Sequence, residues 1–453
     1  MTLKPTTSDL QEADLRRFFM LLLTIGVPIL LQEVLHQGIN MIDTLMIGRA
    51  MAVHQVTAVG LAGQIVFLFI LTNFGVLSAC GVYSGQYSGA DNLARIHHIM
   101  GIAFMGTTAV ASVFFVASFF FGQALLGIYT DHVEVIQLGA DFLQMVSVSF
   151  FIMGFVTSRN MAMRSMGQTR VPLYGTIAAF VANLSLNYVA IFVLGWGLRG
   201  AAVSTVVARL AELGVQTYLI RRYRLPIRTQ WRHHFSFDRV FVRAFVAIGG
   251  FIMLNEILWA VGTSAHQVAY GMIGVYAQGA IQMSLAVVNI FQILSNAVAI
   301  TTSVIISNAI GSGKLAQART YSRYCIGFTV VATVLMGVLL VSLAPALAQF
   351  YNVAPAIQAD IVAIVRVAGV TMCLRGLNFT ILVGILRSGS DAPFCFKVEM
   401  GTVYLVALPL VFGGALLGLP VFLLYALVQT EELVKLVIVS WRYRQGRWVQ
   451  GVI

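Results

Sequence analysis

The stretch Leu31-Gln32-Glu33-Val34-Leu35 recurs as Leu254-Asn255-Glu256-Ile257-Leu258, 223 residues further along the chain. Each copy places an amide and an acid inside a long run of apolar residues. The offset is close to half of the 453-residue chain, so the two copies indicate an internal repeat. Further matches follow in the same order at nearly the same offset: Gly89 and Gly311, Tyr129 and Tyr351, and Arg164-Ser165 and Arg387-Ser388.

The composition around these stretches is that of a membrane protein. Hydrophobic residues make up 59% of the chain, charged residues only 10%, and the mean hydropathy is +0.87. Soluble domains carry roughly 25% charged residues. Within lipid the backbone must satisfy its own hydrogen bonds, which leaves helices or closed barrels. The apolar runs, such as 99–126 and 324–347, are far longer than the roughly ten-residue alternating strands of barrels, so we expect helices.

Runs of about 20 apolar residues are long enough to span a bilayer, and the chain contains twelve of them. The predicted spans are 18–47, 59–85, 98–121, 135–158, 171–194, 200–220, 241–270, 276–306, 321–345, 357–386, 397–417 and 420–441. The repeat offset covers six spans, so both halves insert in the same sense. We therefore predict an all-α membrane protein with twelve transmembrane helices, in two pseudo-symmetric six-helix lobes with a central cavity.

The basic residues predict the topology. Nearly all of the 28 Lys and Arg residues, including Arg159, Arg164, Arg387 and Lys435, fall on one predicted side, and the other side holds only Arg49 and Arg199. This positive-inside pattern predicts an inner-membrane protein with both termini in the cytoplasm. The predicted domains are an N-lobe at 1–220, a basic cytoplasmic connector at 221–240 and a C-lobe at 241–453.

Several classes of function are disfavoured by the sequence. The net charge of +11 is explained by topology, so no nucleic-acid partner is expected. No phosphate-binding loop or nucleophile motif occurs in the sequence, which argues against an ATP-driven pump or an enzyme. The four scattered cysteines indicate packing residues rather than a disulfide framework. No cofactor is expected beyond a coupling ion, Na⁺ or H⁺.

Polar side chains line one face of the first predicted helix and recur in the seventh. Ionisable groups at membrane depth are costly and usually functional. At 100° per residue, the spacing i, i+3, i+7, i+10 places four side chains within an arc of about 80°. The stripe comprises Glu33, His36, Asn40 and Asp43 in helix 1, with Glu256, Thr263 and His266 at corresponding spacings in helix 7.

The repeat-related acids suggest ion coupling. Our hypothesis is that Glu33 and Glu256 form a pair that binds a proton or sodium, because two carboxylates in a low-dielectric cleft disfavour double ionisation. The simpler alternative is that Glu33 only holds helix 1 in place. His36 and His266 are candidates for a proton relay.

Two asparagines of helix 5 are further candidates. Asn183 and Asn187 are one helical turn apart, so they either line the binding cavity or only bond neighbouring helices. Glu431 and Lys435, at i and i+4 in the last helix, predict a structural ion pair.

The ordered motifs resemble those of the multidrug and toxic compound extrusion family. The resemblance rests on Met41–Arg49, Ala58–Ala62, Gln86–Ala90, Arg164–Pro172 with Arg387–Pro393, and Gly200–Thr205. It implies two six-helix lobes in a V shape and export of organic cations driven by sodium or protons.

The resemblance also implies site residues. Asp43 matches the acid of the family's helix 1, and Glu256 matches the helix 7 glutamate of its sodium-coupled branch, so Na⁺ at Glu256 and Asp43 is possible. The family's helix 10 aspartate falls near Gly376, beside Asn378, and its helix 5 aspartate near Asn187. These departures leave the coupling ion open.

The leading interpretation is therefore an ion-coupled antiporter that exports cationic or amphipathic small molecules by alternating access, working as a monomer in the lipid bilayer. One alternative is a flippase for lipid-linked oligosaccharide or precursor, which would favour arginines in the cavity. Another is a non-transporting receptor or scaffold, which would not need repeat-equivalent buried acids.

Overall fold

The computed structural model describes residues 15–51, 53–225, 227, 239–351 and 353–449, and within these ranges the chain is helical without strands. The helical segments follow one another in twelve runs, as the apolar pattern predicts. The first six are α1 Leu15–Ala50, α2 Val53–Gly89, α3 Leu93–Gly127, α4 Val133–Ser147 with Ser149–Ser165, α5 Arg170–Val193 and α6 Gly197–Arg222. The second six are α7 Arg239–Ile273, α8 Val275–Gly311, α9 Leu315–Gln349, α10 Pro355–Gly389, α11 Ala392–Leu416 and α12 Val421–Gln445.

Most of the helices have membrane-spanning length and composition. Among the described residues, eight helices are individually long and apolar enough to cross a bilayer, and the two parts of α4, bent by 46°, make a ninth when taken as one span. By contrast, α6 and α12 carry several charges each. Some of these charges pair with each other inside the protein, as Arg209 does with Glu212 in α6 and Lys435 with Glu431 in α12.

The helices group into two compact units. Among the described residues, the N unit comprises 31–51, 53–88, 92–225, 227 and 239–249, and the C unit comprises 15–30, 89–91, 250–351 and 353–449. The first part of α1 therefore packs with the second half of the chain: the ring of Phe18 lies 5.5 Å from that of Tyr321 and 5.3 Å from that of Tyr324. The predicted lobe boundaries, with an N-lobe at 1–220 and a C-lobe at 241–453, stay a prediction.

Small and aromatic residues set the packing inside each unit. In the N unit, Phe69 of α2 stacks on Phe150 of α4 with 4.4 Å between ring centroids. In the C unit, α9 and α10 cross closely at Gly337 and Gly369, where a Cβ on Gly337 would collide with the carbonyl oxygen of Gly369. Small residues allow such close helix contact in membrane proteins.

Equivalent hydrogen bonds occur in both units. Thr107 of α3 bonds Ser158 of α4 at 3.1 Å, and Thr329 of α9 bonds Thr380 of α10 at 3.1 Å. Both residues of the second pair lie 222 positions after those of the first. The internal repeat predicted from the sequence is thus also present in the side-chain contacts.

Three cations that the sequence analysis places on the cytoplasmic side are buried within the protein. Arg159, Arg387 and Lys435 are 7%, 3% and 3% exposed. Arg159 and Arg387 lie beyond the predicted ends of their spans, but α4 and α10 continue past those ends to Ser165 and Gly389. The predicted connector, 221–240, is described only at 221–225, 227 and 239–240, and the orientation of the termini stays a prediction.

Candidate functional site

Asp43 of α1 is the central acid of the N unit. Its carboxylate accepts a hydrogen bond of 2.6 Å from Nδ2 of Asn187 on α5, and the same Nδ2 lies 3.4 Å from Oδ1 of Asn183. The one-turn spacing of the two asparagines, predicted from the sequence, brings both amides to one place. Asn187 stands at the end of regular α-helix, because Tyr188–Val193 forms a π-helical segment. Such segments are frequent at functional sites.

The carboxylate of Asp43 has no bonded cation. Among the described residues, none of the ion pairs within 4.0 Å includes Asp43. The guanidinium of Arg209 on α6 is bound to Glu212 instead, at 3.1 Å from its Nη1. Oδ1 of Asn187 is also buried without a partner in the described part of the chain. Within the described residues, the carboxylate of Asp43 therefore has an amide donor and no ion-pair partner, and it lies beside an amide oxygen that has no hydrogen-bond partner.

Glu33 occupies a different environment in the same unit. Arg164 of α4 donates through Nη2 to Glu33 at 3.3 Å and to Oε1 of Gln32 at 2.7 Å. Gln32 in turn donates to the backbone oxygen of Thr169 at 3.1 Å. Nε of Arg164 also donates to Oε1 of Gln32, at 3.2 Å, so the contact with Glu33 is the longest of three made by one arginine. This arrangement resembles the structural role weighed as the simpler alternative.

Glu256 of α7 has the equivalent arginine in the C unit. Arg387 of α10 donates from Nη1 to Glu256 at 2.7 Å and from Nη2 to Glu399 of α11 at 3.2 Å. Asn255, the counterpart of Gln32, donates to Glu399 at 2.7 Å. Two carboxylates share one buried guanidinium, so this group carries one surplus negative charge when both acids are ionised.

The structure gives each repeat-related glutamate an arginine within its own unit. Glu33 and Arg164 are 131 residues apart, and so are Glu256 and Arg387. The mutual pair of Glu33 and Glu256 stays a hypothesis. Sequence reasoning missed both arginine contacts, although the signal was present: the two arginines were matched at the same offset of 223 as the two glutamates.

The remaining candidates have mixed surroundings. Thr263 donates to the backbone oxygen of Trp259 at 2.9 Å, which occupies its hydroxyl hydrogen. Asn378 donates to Glu432 of α12 at 2.6 Å. His266 is buried, and its Nε2 has no partner among the described residues. The side chain of Asn40 lies outside the described residues.

The described His, Cys, Asp and Glu side chains form no candidate metal site by clustering. The described residues contain no group of three or more His, Cys, Asp or Glu side chains that could hold a metal ion. A sodium site would have to use amide and backbone oxygens beside a single carboxylate, as at Asp43 and Asn187. Whether sodium binds at Asp43 or Glu256 stays a prediction.

Twelve helices of membrane-spanning length in two repeated units, with acids held inside them, define a duplicated multi-pass membrane protein. The MatE family model matches residues 28–189 and again residues 252–413, once in each half. The chain belongs to the MatE family, which consists of membrane transporters rather than enzymes, and this confirms the resemblance drawn from the motifs.

Relatives and solved structures agree with this assignment. The uncharacterized transporter YisQ of Bacillus subtilis is 22% identical over 449 residues, 93% of each chain. The probable multidrug resistance protein NorM of Halalkalibacterium halodurans is 23% identical over 425 residues, 90% of this chain and 88% of that one. The probable multidrug resistance protein YoeA of B. subtilis is 23% identical over 305 residues, and the match spans 65% of its length.

The fold is that of known MATE transporters. A crystal structure of the Vibrio cholerae MATE transporter VcmN, in a mutant form, superposes with a TM-score of 0.86 at 16% identity, covering 96% of this chain and 98% of that one. A MATE crystal structure with the ligand MaL6 also gives 0.86, at 13% identity, covering 95% and 96%. The predicted two-lobed, twelve-helix fold is confirmed.

Proposed function

We propose that the protein exports cationic or amphipathic small molecules across the plasma membrane in exchange for protons or sodium, by alternating access. The proposal rests on the surroundings of the Asp43 carboxylate. Asp43 is the acid of helix 1 that matches the family motif, and its carboxylate is bonded to an amide but to no cation within the described residues. Relatives named as multidrug resistance proteins support the substrate class.

The contrast with the other interior acids supports this choice. Glu33, Glu256, Glu399, Glu431 and Glu432 each have a Lys or Arg nitrogen between 2.7 and 3.9 Å away. Removing one partner of a buried ion pair leaves an uncompensated charge, so these acids exchange a cation less readily than Asp43 does. Among the described residues, Asp43 is an acid on the polar face of helix 1 without an ion-pair partner, which leaves its charge available to an incoming cation.

Exchange follows from competition for one negative charge. An ionised carboxylate at membrane depth is costly unless it is neutralised. A proton, a sodium ion or the ammonium group of a substrate would neutralise Asp43 equally well, but they cannot occupy it together. Binding of the coupling ion therefore displaces the substrate, and binding of the substrate displaces the ion, which is the condition for antiport.

Three arginines of the interior give less support to a flippase of anionic headgroups. Arg164, Arg209 and Arg387 are bound to Glu33, Glu212 and to the pair of Glu256 and Glu399, respectively. Their charge is already used by acids of the protein. An anionic ligand would have to break these contacts first.

The test is efflux of ethidium from proteoliposomes under an imposed pH gradient or sodium gradient. We expect the wild-type protein to accelerate efflux under one of the two gradients and the Asp43→Asn variant to fall to the leak of protein-free liposomes. The matched control is Glu134→Gln, because Glu134 is an exposed acid at the start of α4, 3.8 Å from His54. Gradient-driven efflux by Asp43→Asn at the wild-type rate would refute the role of Asp43.

A further inference from the structure

Four exposed arginines come together at one end of the C unit, where α9 begins and α12 ends. The hydroxyls of Ser322 and Tyr443 share a hydrogen bond of 2.8 Å, which joins the two helices at this end. Arg323 and Arg444 directly follow these two residues in the chain, so the bond brings the two arginines into one region. The four residues, called the arginine cluster below, are Arg319, Arg323, Arg444 and Arg447.

The turn after α12 is fixed in place beside α9. Gly446 caps α12 with a φ of +68°, and a Cβ on this glycine would lie 3.7 Å from Nη2 of Arg319. Trp448 is buried, stacks on Tyr443 with 5.8 Å between ring centroids, and donates from Nε1 to the backbone oxygen of Tyr443 at 3.3 Å. The backbone of Arg447, between Gly446 and Trp448, therefore lies near the guanidinium of Arg319.

Within the described part of the chain, no acid forms an ion pair within 4.0 Å of the arginine cluster. Asp and Glu are absent from positions 257–359 and 433–453, which include all of α9 and the end of α12. The nearby Arg442 is bound to Asp391 by two hydrogen bonds, at 2.7 and 3.0 Å. Like charges four residues apart on a helix, as at Arg319 and Arg323, repel each other. An anionic ligand would relieve this repulsion.

The first half of the chain lacks the two arginines of α9. The offset of 222 that relates α3 to α9 places His97 and Gly101 at the positions of Arg319 and Arg323. The positive-inside rule concerns the basic residues of loops and helix ends in both halves. Arginines inside only one of two equivalent helices therefore indicate a local ligand in addition to a topological signal.

Exposed apolar residues lead away from the arginine cluster along both helices. They are Val330 and Val334 on α9, and Leu433, Val437 and Trp441 on α12. The valines of α9 follow Arg323 by seven and eleven residues, and the first two residues on α12 precede Arg444 by eleven and seven. At 100° per residue, each falls within about 20° of its arginine around the helix. Each helix thus has one face that is basic at its end and apolar beyond it, and Trp is typical of the headgroup level between these regions.

We propose that the arginine cluster binds the phosphate of an anionic phospholipid, whose acyl chains lie along the exposed apolar faces of α9 and α12. Guanidinium groups suit phosphate because they stay charged and offer paired donors. Basic residues beside membrane helices attract anionic headgroups. The bond of Ser322 to Tyr443 and the buried Trp448 hold the cluster together before a lipid arrives, which lowers the cost of ordering it on binding. The site does not depend on the proposed transport activity.

The experiment is native mass spectrometry of the purified full-length protein, released from a neutral detergent and titrated with dioleoylphosphatidylglycerol or with dioleoylphosphatidylcholine. The two lipids share their acyl chains and differ in the net charge of the headgroup. We expect the first phosphatidylglycerol to bind the wild-type protein about 25-fold more tightly than phosphatidylcholine, from roughly fivefold for each of two engaged arginines. Equal affinities for the two lipids would overturn the proposal, whatever the behaviour of any variant.

A double variant tests the position of the site. Arg319→Gln combined with Arg447→Gln should weaken phosphatidylglycerol binding about 25-fold and leave phosphatidylcholine binding unchanged. The matched control combines Arg221→Gln with Arg222→Gln, which removes the same charge from two exposed arginines in the last turn of α6 and should keep the wild-type affinity. An equal loss in both double variants would show a general effect of net charge and overturn the assignment to the arginine cluster.

A soluble phosphate ester tests whether the ligand is a lipid. Glycerol 3-phosphate offers the phosphate without acyl chains, so we expect it to leave bound phosphatidylglycerol in place when it is added at equal concentration. Displacement of the lipid under these conditions would overturn the lipid assignment, because it would show that the apolar faces of α9 and α12 contribute nothing to binding.

Discussion

Replacing Arg387 by Met should destabilise the protein far more than the same change at Arg164, its repeat equivalent. Arg387 is 3% exposed and bonds Glu256 at 2.7 Å and Glu399 at 3.2 Å. Its removal strands two buried carboxylates. Loss of one partner of a buried ion pair costs about 3–5 kcal/mol.

Arg164 is in a milder setting. Its side chain is 18% exposed, its acid partner Glu33 is 27% exposed, and their separation is 3.3 Å. Ion pairs with this degree of solvent contact contribute about 0–1 kcal/mol. Oε1 of the neutral Gln32 also loses the two hydrogen bonds that it accepts from Nε and Nη2 of Arg164, at about 1 kcal/mol for this shared acceptor. We therefore expect Arg164→Met to cost about 1–2 kcal/mol.

The assay is thermal unfolding of the purified protein in detergent, followed by tryptophan fluorescence. With roughly 2–4 °C of melting temperature for each kcal/mol in a unit of this size, Arg387→Met should melt about 10 °C below wild type, and Arg164→Met about 4 °C below it. Adding Glu256→Gln and Glu399→Gln to Arg387→Met should restore most of the loss, since no charge is then stranded.

Two results would refute this reasoning. One is a melting temperature of Arg387→Met that equals or exceeds that of Arg164→Met. The other is a triple variant no more stable than Arg387→Met alone, which would mean that the cost comes from lost packing and not from the stranded acids of the C unit.

Two further predictions concern packing and the end of α12. Gly337→Ala should lower the free energy of unfolding by about 1–3 kcal/mol, because the new Cβ collides with the backbone of Gly369. The control Gly327→Ala has open space around it and should be neutral or stabilising by up to about 1 kcal/mol. Equal melting temperatures of the two variants would contradict the close crossing of α9 and α10. Arg442→Lys should lower the free energy of unfolding by about 1 kcal/mol in the same assay. Arg442 binds Asp391 through two nitrogens, at 2.7 and 3.0 Å, and Lys cannot reproduce this geometry. A variant that melts at the wild-type temperature would show that the second contact contributes nothing.

The helices were predictable from the sequence because the bilayer imposes a simple rule on length and polarity. The runs predicted at 18–47 and 357–386 correspond to α1 at Leu15–Ala50 and α10 at Pro355–Gly389. The differences lie at the ends, because hydropathy measures only the part of a helix that needs apolar side chains. The bend of α4, at Val148 between its two parts, has no such signal, since the apolar run continues through it.

The contacts of the acids were only partly predictable. The spacing of Asn183 and Asn187 placed two amides on one face of a helix, and this was enough to nominate them. Their contact with Asp43 joins residues 144 positions apart, which no local pattern reveals. The position of Arg387 near the end of a predicted helix indicates the cytoplasmic side of the membrane, because basic residues there usually determine topology. This position alone does not reveal the buried ion pair with Glu256.

The two carboxylates on Arg387 also bear on the history of the gene. The first-half positions that correspond to Glu399, residues 176–178, hold Thr, Ile and Ala, so only one copy of the duplicated segment has this extra acid. The copies therefore diverged in charge while keeping their helices and their hydroxyl pairs. A chimera assembled from two first halves would reproduce the helices but lack the acid that corresponds to Glu399. The two halves are therefore no longer interchangeable in charge.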